Sequence, residues 1–326
     1  MMRIGYHASH EQFPPSELLR FVRLAQNNGF EAVLSSDHFY PWSRQQGESG
    51  FAWSWLGAAM QSTDIPFGVV SAPGQRYHPA IIAQASATLA EMFPGRFWLG
   101  VGSGQVLNEG ITGEGWPCKS LRNQRWQRCG EIIKKLWEGE TITHDGNPSV
   151  EEARLYTRPN RKPLLFAAAI SSHSARLAGP WADGLITVSS PVETLAEVIK
   201  AFRQAGGQGK PVYLKIQLSY ARKEEEALDG AWEQWRTNIF GSEILTDLRL
   251  PEYFETASQV VSKEQMRETV LVSADLARHA RWLKGYARLG FDHIFLHNVN
   301  KNQRVFIEDF GQKVLPELKI REKEHQ

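Results

Sequence analysis

The chain alternates short apolar runs with longer amphipathic stretches, and it does so eight times. In the first unit the apolar run "RIGYHA" at 3–8 precedes "PSELLRFVRLAQNNGF" at 15–30, whose apolar residues recur at helical spacing. Strands that alternate with helices pair in parallel through right-handed crossovers. The predicted strands span 3–8, 31–38, 65–73, 96–104, 163–170, 183–190, 211–220 and 292–298.

Eight such units in 326 residues predict an α/β fold, a closed (β/α)8 TIM barrel, rather than an open sheet. Such barrels reach about 250 residues or more without dividing, so we predict one domain over 1–326. Two segments depart from the repeat and are interpreted as insertions. The segment 140–162 contains a hairpin turn, and the aromatic, irregular segment 237–268 is expected to cover the barrel mouth. The charged tail at 319–326 is expected to be frayed surface.

The charge balance excludes several classes of partner. The chain has 37 Lys and Arg against 36 Asp and Glu, so no nucleic-acid or anionic-membrane surface is expected. No apolar run reaches the roughly 18–20 residues that span a bilayer, and the first residues lack a signal-peptide pattern. With only two cysteines, the sequence predicts a cytoplasmic protein whose thiols are reduced.

The segment "SSDHFYPW" at 35–42 is placed at the barrel mouth, because TIM-barrel active sites lie at the C-terminal ends of the strands. His38 is a candidate for proton transfer, since an imidazole titrates nearest to neutrality. Adjacent strand residues point to opposite faces, so Asp37 orients His38 only if a loop steers them together. Glu11 is the other candidate for that role. The alternative is a polar turn in which Asp37 caps backbone amides.

Two other segments suit a cofactor. The glycine-rich turn "GVGSGQVLNE" at 100–109 would let a flat ligand lie against the backbone, unless it is only a tight turn. At 170–173 a strand ends and a serine-rich helix start follows, which suits a phosphate group. The alternative there is an ordinary serine N-cap.

A metal site is not expected, although four histidines follow predicted strands. Metal-dependent barrel hydrolases usually place two close histidines on one strand and add carboxylate ligands, and this pattern is missing. The four histidines are His7, His38, His78 and His297.

Four segments carry a family resemblance: "GYHASHEQFPP", "SSDHFYPW", "RYHPAIIAQASATLAEMFPGRFWLGVGSGQVLNE" and "WADGLI". They resemble the bacterial luciferase-like flavin-dependent oxidoreductases, which are (β/α)8 barrels. A near branch contains the deazaflavin-dependent glucose-6-phosphate dehydrogenases, and nearer still is a predicted sister branch thought to have returned to FMN. The resemblance extends over about 3–317 and is densest before residue 110.

The resemblance implies roles for individual residues. His38 would exchange a proton with the substrate, with Glu11 and Trp42 packed around the reacting centre. It also implies a cis peptide bond at Val69-Val70, a conformation that costs about 3–4 kcal/mol without proline. The implied cofactor contacts are Asp37, Val69, Val70, Ser103, Gln105, Asn108, Ile170, Ser171, Ser172 and His173.

The sequence departs from the sugar-phosphate enzymes at three places. Gln105 replaces a glutamate, and an amide cannot ionise. Val188 and Pro191 align with the threonine and lysine that bind the phosphate of the sugar. Glucose 6-phosphate is therefore not the expected substrate.

Three functions are compatible with these residues and with the resemblance. The first, which the resemblance to the sister branch favours, is an FMN-dependent oxidoreductase or monooxygenase that oxidises a small organic substrate, as a homodimer served by a separate flavin reductase. The second is a dehydrogenase that uses an 8-hydroxy-5-deazaflavin coenzyme to take a hydride from an alcohol or another sugar. The third is a non-catalytic flavin-binding or partner barrel, which the ionisable groups Glu11, Asp37 and His38 disfavour.

Overall fold

A computed structural model describes residues 2–319 of the chain, and 320–326 of the predicted tail lie outside that range. The strands are β1 (Arg3–Ala8), β2 (Ala32–Ser35), β3 (Phe67–Ser71), β4 (Phe97–Val101), β5 (Ile142–His144), β6 (Val150–Ala153), β7 (Leu164–Ala168), β8 (Gly184–Val188), β9 (Val212–Ser219), β10 (Leu271–Val272) and β11 (His293–Asn298). The helices are α1 (Pro15–Asn27), α2 (Ala52–Gln61), α3 (Pro79–Met92), α4 (Val106–Glu109), α5 (Lys119–Glu138), α6 (Ser172–Ala178), α7 (Val192–Phe202), α8 (Glu224–Trp235), α9 (Ser242–Asp247), α10 (Pro251–Ala257), α11 (Met266–Thr269), α12 (Leu276–Ala287), α13 (Gln303–Asp309) and α14 (Leu315–Lys319).

Eight parallel strands close into a barrel in the order β1-β2-β3-β4-β7-β8-β9-β11. Closure is achieved because β9 pairs with both β8 and β11, and β11 pairs with β1. The short β10 extends the sheet at the end of β9. The predicted (β/α)8 barrel is confirmed. The second strand ends at Ser35, so the residues that follow belong to a mouth loop rather than to the strand.

Both segments that break the repeat carry secondary structure of their own. In the first, β5 and β6 form an antiparallel hairpin whose loop runs from 145 to 149. The second, predicted to be irregular, contains the short helices α9 and α10 and the start of α11. Helices this short are not stable alone, so packing on the barrel stabilises them and the sequence carries little helical pattern.

The lower half of the barrel interior is filled by aromatic rings. Trp98 packs against Phe166, Tyr213 and Phe295 with ring centroids 4.9 to 5.8 Å apart. The Trp98 ring occupies the space beside Gly68, where an added Cβ would lie 1.8 Å from Trp98 Cε2. This plug fills the barrel interior below the C-terminal mouth.

The peptide bond at Val69–Val70 is trans, so the cis bond expected there was wrong. Within the described part of the chain the cis peptide bond is Asn147–Pro148. Val69 and Val70 continue the regular ladder with Leu99 and Gly100 of β4. A residue that precedes no proline has no local reason to adopt the cis form.

Across residues 2–319, no helix has the length and apolar character required to span a membrane.

Candidate active site

His38 and Glu11 meet at the barrel mouth. Nδ1 of His38 lies 2.6 Å from Oε1 of Glu11, which comes from the loop after β1. The two atoms are in close contact, although the angle is not that of a well-aligned hydrogen bond. Glu11, and not the adjacent Asp37, is therefore the carboxylate against His38.

The Glu11 carboxylate is buried and held by hydroxyl groups. Its Oε2 accepts hydrogen bonds from Ser9 Oγ at 2.8 Å and from Ser36 Oγ at 2.7 Å. Burial alone would raise the pKa of Glu11, but His38 and the serine hydroxyl of Ser36 outweigh it and hold the pKa well below 4.5. The stability that this ionised group contributes is present above its unfolded pKa and is lost as pH falls through the folded value.

The other edge of His38 faces the mouth. Nε2 takes part in no hydrogen bond with any residue in the described range, and the side chain is 23% exposed. Trp42 packs edge-on against the imidazole at 5.3 Å, and Phe254 of α10 packs against Trp42 at 5.4 Å. The second insertion therefore contacts the wall beside His38.

Asp37 has a different set of partners. Its carboxylate accepts hydrogen bonds from Ser71 Oγ at 2.5 Å and from Tyr77 Oη at 3.1 Å. Arg76 Nη2 donates to the Asp37 backbone carbonyl at 3.0 Å and lies 3.5 Å from Oδ2. Asp37 thus joins the β2 loop to the end of β3 and does not contact His38.

Arg76 also pairs with a second carboxylate that was not expected from the sequence. Nε of Arg76 lies 3.4 Å from Glu109 Oε1, and the Arg76 backbone N–H donates to Oε2 at 2.9 Å. Burial raises the pKa of Glu109, and Arg76 opposes that shift. One guanidinium therefore holds the loops after β2, β3 and β4 together. The positions of Arg76 and Glu109 in the sequence give no indication of this pairing.

The residues predicted to contact the cofactor along the β4 loop have structural partners. Asn108 Oδ1 accepts hydrogen bonds from the backbone N–H groups of Phe39 and Tyr40. Asn108 Nδ2 reaches Gln105 Oε1 at 3.5 Å, and Ser103 Oγ accepts a hydrogen bond from Lys119 Nζ at 2.7 Å. The Asn108 contacts fix the loop after β2 to the loop after β4.

The predicted phosphate site lies at the start of α6. The hydroxyl of Ser171 caps the helix by accepting from the Ser174 N–H at 3.3 Å. Ile170, Ser171 and His173 are exposed, and Ser172 is partly exposed. The segment is thus accessible from solvent, while the N-cap hydroxyl is already in use.

Two neutral histidines form the floor of the mouth. The rings of His7 and His297 lie 4.5 Å apart, and His297 Nε2 is 2.8 Å from Gln12 Oε1. The pKa of His7 is held well below its usual value, mainly by burial and to a smaller extent by the nearby His297 and Lys215. Burial and Lys215 lower the pKa of His297 to about 3. His78 lies apart from these histidines, 2.7 Å from the carbonyl of Ser149.

Lys215 and Gln217 were not identified from the sequence, yet both lie on β9 inside the barrel. Tyr213 belongs to the aromatic plug, and alternate residues of a strand share a face. Lys215 and Gln217 therefore point into the mouth above the plug. The signal was available as two polar residues at alternate positions in the apolar run "PVYLKIQLSY".

A family comparison agrees with this fold. The sequence profile described as "Luciferase-like monooxygenase" matches residues 1–293. The chain belongs to the luciferase-like monooxygenase family, and an oxidoreductase activity follows from that membership and from its relatives.

The individual relatives are narrower in their chemistry. An F420-dependent glucose-6-phosphate dehydrogenase from Beutenbergia cavernae is 35% identical, covering 99% of both chains. One from Microbacterium testaceum is 34% identical over 98% of both. A solved F420-dependent secondary alcohol dehydrogenase, in complex with an F420–acetone adduct, superposes with a TM-score of 0.90 at 28% identity, covering 98% of this chain and 99% of that one.

More distant structures share the fold alone. The F420-dependent tetrahydromethanopterin reductase from Methanopyrus kandleri superposes with a TM-score of 0.77 at 19% identity, covering 98% of this chain and 99% of that one.

Proposed function

We propose that the protein is a deazaflavin-dependent dehydrogenase that takes a hydride from the carbinol carbon of an alcohol. The curated relatives and the secondary alcohol dehydrogenase described above all use F420, a deazaflavin. They support the deazaflavin alternative over the FMN-dependent monooxygenase that we favoured from the sequence. FMN is retained as the competing outcome of the test below.

The observation that carries the proposal is the free Nε2 edge of His38, with Glu11 behind the ring. A carboxylate beside Nδ1 favours the tautomer that leaves Nε2 as the proton acceptor. When the ring takes a proton, the Glu11 carboxylate at 2.6 Å stabilises the positive charge. His38 is thus equipped as a general base in alcohol oxidation and as a general acid in the reverse direction.

The wall of the mouth beside β3, β4 and β7 is lined by small or apolar residues, which suit contact with a flat ring. Above the aromatic plug it is formed by Val70, Gly100 and Ala168. At Gly100 an added Cβ would lie 2.9 Å from Val70 Cγ2, so larger residues would narrow this wall. A bound deazaflavin would supply a ring carbon that accepts a hydride. We propose that the residues predicted from the sequence as cofactor contacts, of which Asp37 is the first and His173 the last, bind the cofactor on this side of the mouth.

The bond changes in the substrate balance with these groups. In the proposed reaction the carbinol C–H bond would break, and its electron pair would leave with the hydrogen as a hydride for the oxidised cofactor. The hydroxyl proton passes to His38 Nε2, and the carbon–oxygen bond becomes a carbonyl. Trp42 packs edge-on beside the imidazole and shields that side of it from water.

A substrate other than glucose 6-phosphate remains part of the proposal. Val188 ends β8 and Pro191 immediately precedes α7. Neither side chain has a hydrogen-bond donor or a charge with which to bind a phosphate.

Cofactor binding distinguishes deazaflavin from FMN. We expect the fluorescence of F420 to be quenched when F420 is titrated with the purified protein at micromolar concentrations. FMN should bind at least about tenfold more weakly. Fluorescence titration of both cofactors against the same preparation measures this difference. Tight FMN binding without F420 binding would restore the FMN-dependent alternative, in which a separate flavin reductase is the expected partner.

We also propose a homodimer formed through α2 and α3. Phe51, Ile81 and Met92 on this side are more than half exposed, at 55%, 56% and 52%. Exposed large apolar residues that cluster on one face are typical of subunit interfaces.

Light scattering tests the homodimer and should give twice the mass of the chain. Ile81→Lys should shift the measured mass towards that of the monomer. Tyr156→Lys, at a side chain that is 90% exposed, is the control and should leave the mass unchanged.

A further inference from the structure

Lys215 brings a positive charge into the barrel mouth from β9. It pairs with Val188 of β8 and with the plug residue Phe295 of β11, and it lies two residues beyond the plug residue Tyr213 on its own strand. Its Nζ lies 5.9 Å from the centre of the Trp235 ring at the end of α8. The side chain is surrounded by protein yet keeps some exposure to solvent through the mouth.

The ammonium group of Lys215 has no acceptor among residues 2–319. No hydrogen bond and no ion pair within 4.0 Å involves Nζ. The carboxylate that acts on it through space, Glu11, is already engaged by His38, Ser9 and Ser36. Lys215 is therefore a cation that the protein itself does not neutralise.

A second donor lies on the same face of β9. Gln217 Oε1 accepts a hydrogen bond from Ser189 Oγ at 2.5 Å. This contact orients the amide and leaves its Nε2 group available as a donor. Nε2 of Gln217 makes no hydrogen bond with any described residue. Lys215 and Gln217 are two residues apart on one face of the strand, so their Cα atoms are roughly 7 Å apart. Each side chain brings one hydrogen-bond donor to this face.

The groups opposite these donors carry no positive charge that would repel an anion. His7 and His297 are both neutral near pH 7 because of their lowered pKa values. The rings of His297 and Trp235 are 4.9 Å apart and form an apolar wall beside Lys215. An anionic group that enters here meets two donors and no second anion apart from the engaged Glu11.

We propose that Lys215 and Gln217 form a substrate-anion subsite, so that the preferred substrate is a small hydroxycarboxylate. This inference rests on the proposed function and specifies its substrate class. A carboxylate supplies two acceptor oxygens for the two donors. β9 stands opposite β3 in the closed barrel, so the bound carboxylate lies across the mouth from the proposed cofactor wall.

The cost of keeping Lys215 supports a binding role rather than a structural one. Burial lowers the pKa of Lys215, although the Glu11 carboxylate opposes this effect. The charged form is thus less favourable in the folded protein than in the unfolded chain, and the group destabilises the fold at neutral pH. A methionine at this position would keep the length of the side chain and remove the charge.

Kinetics with matched substrates test the proposal. We expect the enzyme loaded with F420 to prefer 3-hydroxybutyrate over 3-hydroxybutyramide by about 10- to 100-fold in kcat/KM. Lys215→Met should reduce this ratio to near one, and Lys215→Arg should retain part of it. Lys200→Met removes an exposed lysine on α7 and is the matched control, with no change in the ratio expected. Equal kcat/KM for acid and amide in the wild-type enzyme would overturn the proposal.

Two further measurements separate a binding role from a structural one. The denaturation midpoint of Lys215→Met should equal or exceed that of the wild type; a clearly lower midpoint together with equal loss for both substrates would overturn the proposal. Butyrate and butyramide binding to the cofactor-free protein, followed by ligand-observed NMR, tests the subsite even if F420 fails to bind. Butyrate binding that disappears in Lys215→Met supports the subsite, and equal binding of butyrate and butyramide contradicts it.

Discussion

Replacing His38 by Asn is expected to lower kcat by about 10²- to 10⁴-fold, the range for loss of a general acid or base. Asparagine keeps a polar side chain in the mouth but cannot take up the hydroxyl proton of the substrate. Cofactor binding should change little, because the proposed cofactor wall lies along β3, β4 and β7. Stopped-flow reduction of the bound cofactor measures the chemical step, and fluorescence titration measures the binding.

A double-mutant cycle tests whether Glu11 acts through His38. Glu11→Gln alone should lower kcat, since the imidazolium loses the carboxylate at 2.6 Å. In the His38→Asn background the same change should have little further effect, because residues that act as a unit are not additive. His144→Asn, in the β5–β6 hairpin, is the control and should retain full activity. Unaltered turnover in His38→Asn would remove His38 from the mechanism.

The sequence predicted the barrel because alternating strands and helices of this length have few other ways to close. It also located His38 and Glu11 in the same mouth, since strand ends converge there. The cis bond expected at Val69–Val70 failed for an identifiable reason. That expectation came from the resemblance alone, and residue 70 is a valine rather than a proline, so the peptide bond itself does not favour the cis form.

Pairings between loop residues could not be predicted in the same way. Which carboxylate meets His38 and which meets Arg76 depends on loop conformations that residue spacing does not determine. Glu109 illustrates this, because its partner is 33 residues away in the chain. Lys215 was missed for a different reason: it lies within a strand, whereas most of the residues predicted for the mouth lie at strand ends or in the loops that follow.

The second large effect is expected on stability, from Arg76→Met. The Arg76 side chain is 7% exposed, and it lies between the carboxylates of Asp37 and Glu109, which are 1% and 2% exposed. Its removal leaves two buried acids without their shared cation, a change that costs about 3–5 kcal/mol. Chemical denaturation should show this loss in the free energy of unfolding. Arg128→Met breaks an exposed pair with Glu131 and should cost no more than about 1 kcal/mol.

The loss in the free energy of unfolding of Arg76→Met should also depend on pH, and Glu109 determines the direction of that dependence. Burial raises the pKa of Glu109 above 4.5, and Arg76 is the main group that opposes this rise. Without Arg76 the folded state binds a proton more readily than the unfolded chain, so the variant gains stability as pH falls towards 4.5 and loses it as pH rises. The difference from the wild type should therefore be larger near pH ~8 than near pH ~5.5. A deficit that is independent of pH, or below about 1 kcal/mol, would show that Arg76 does not neutralise these carboxylates.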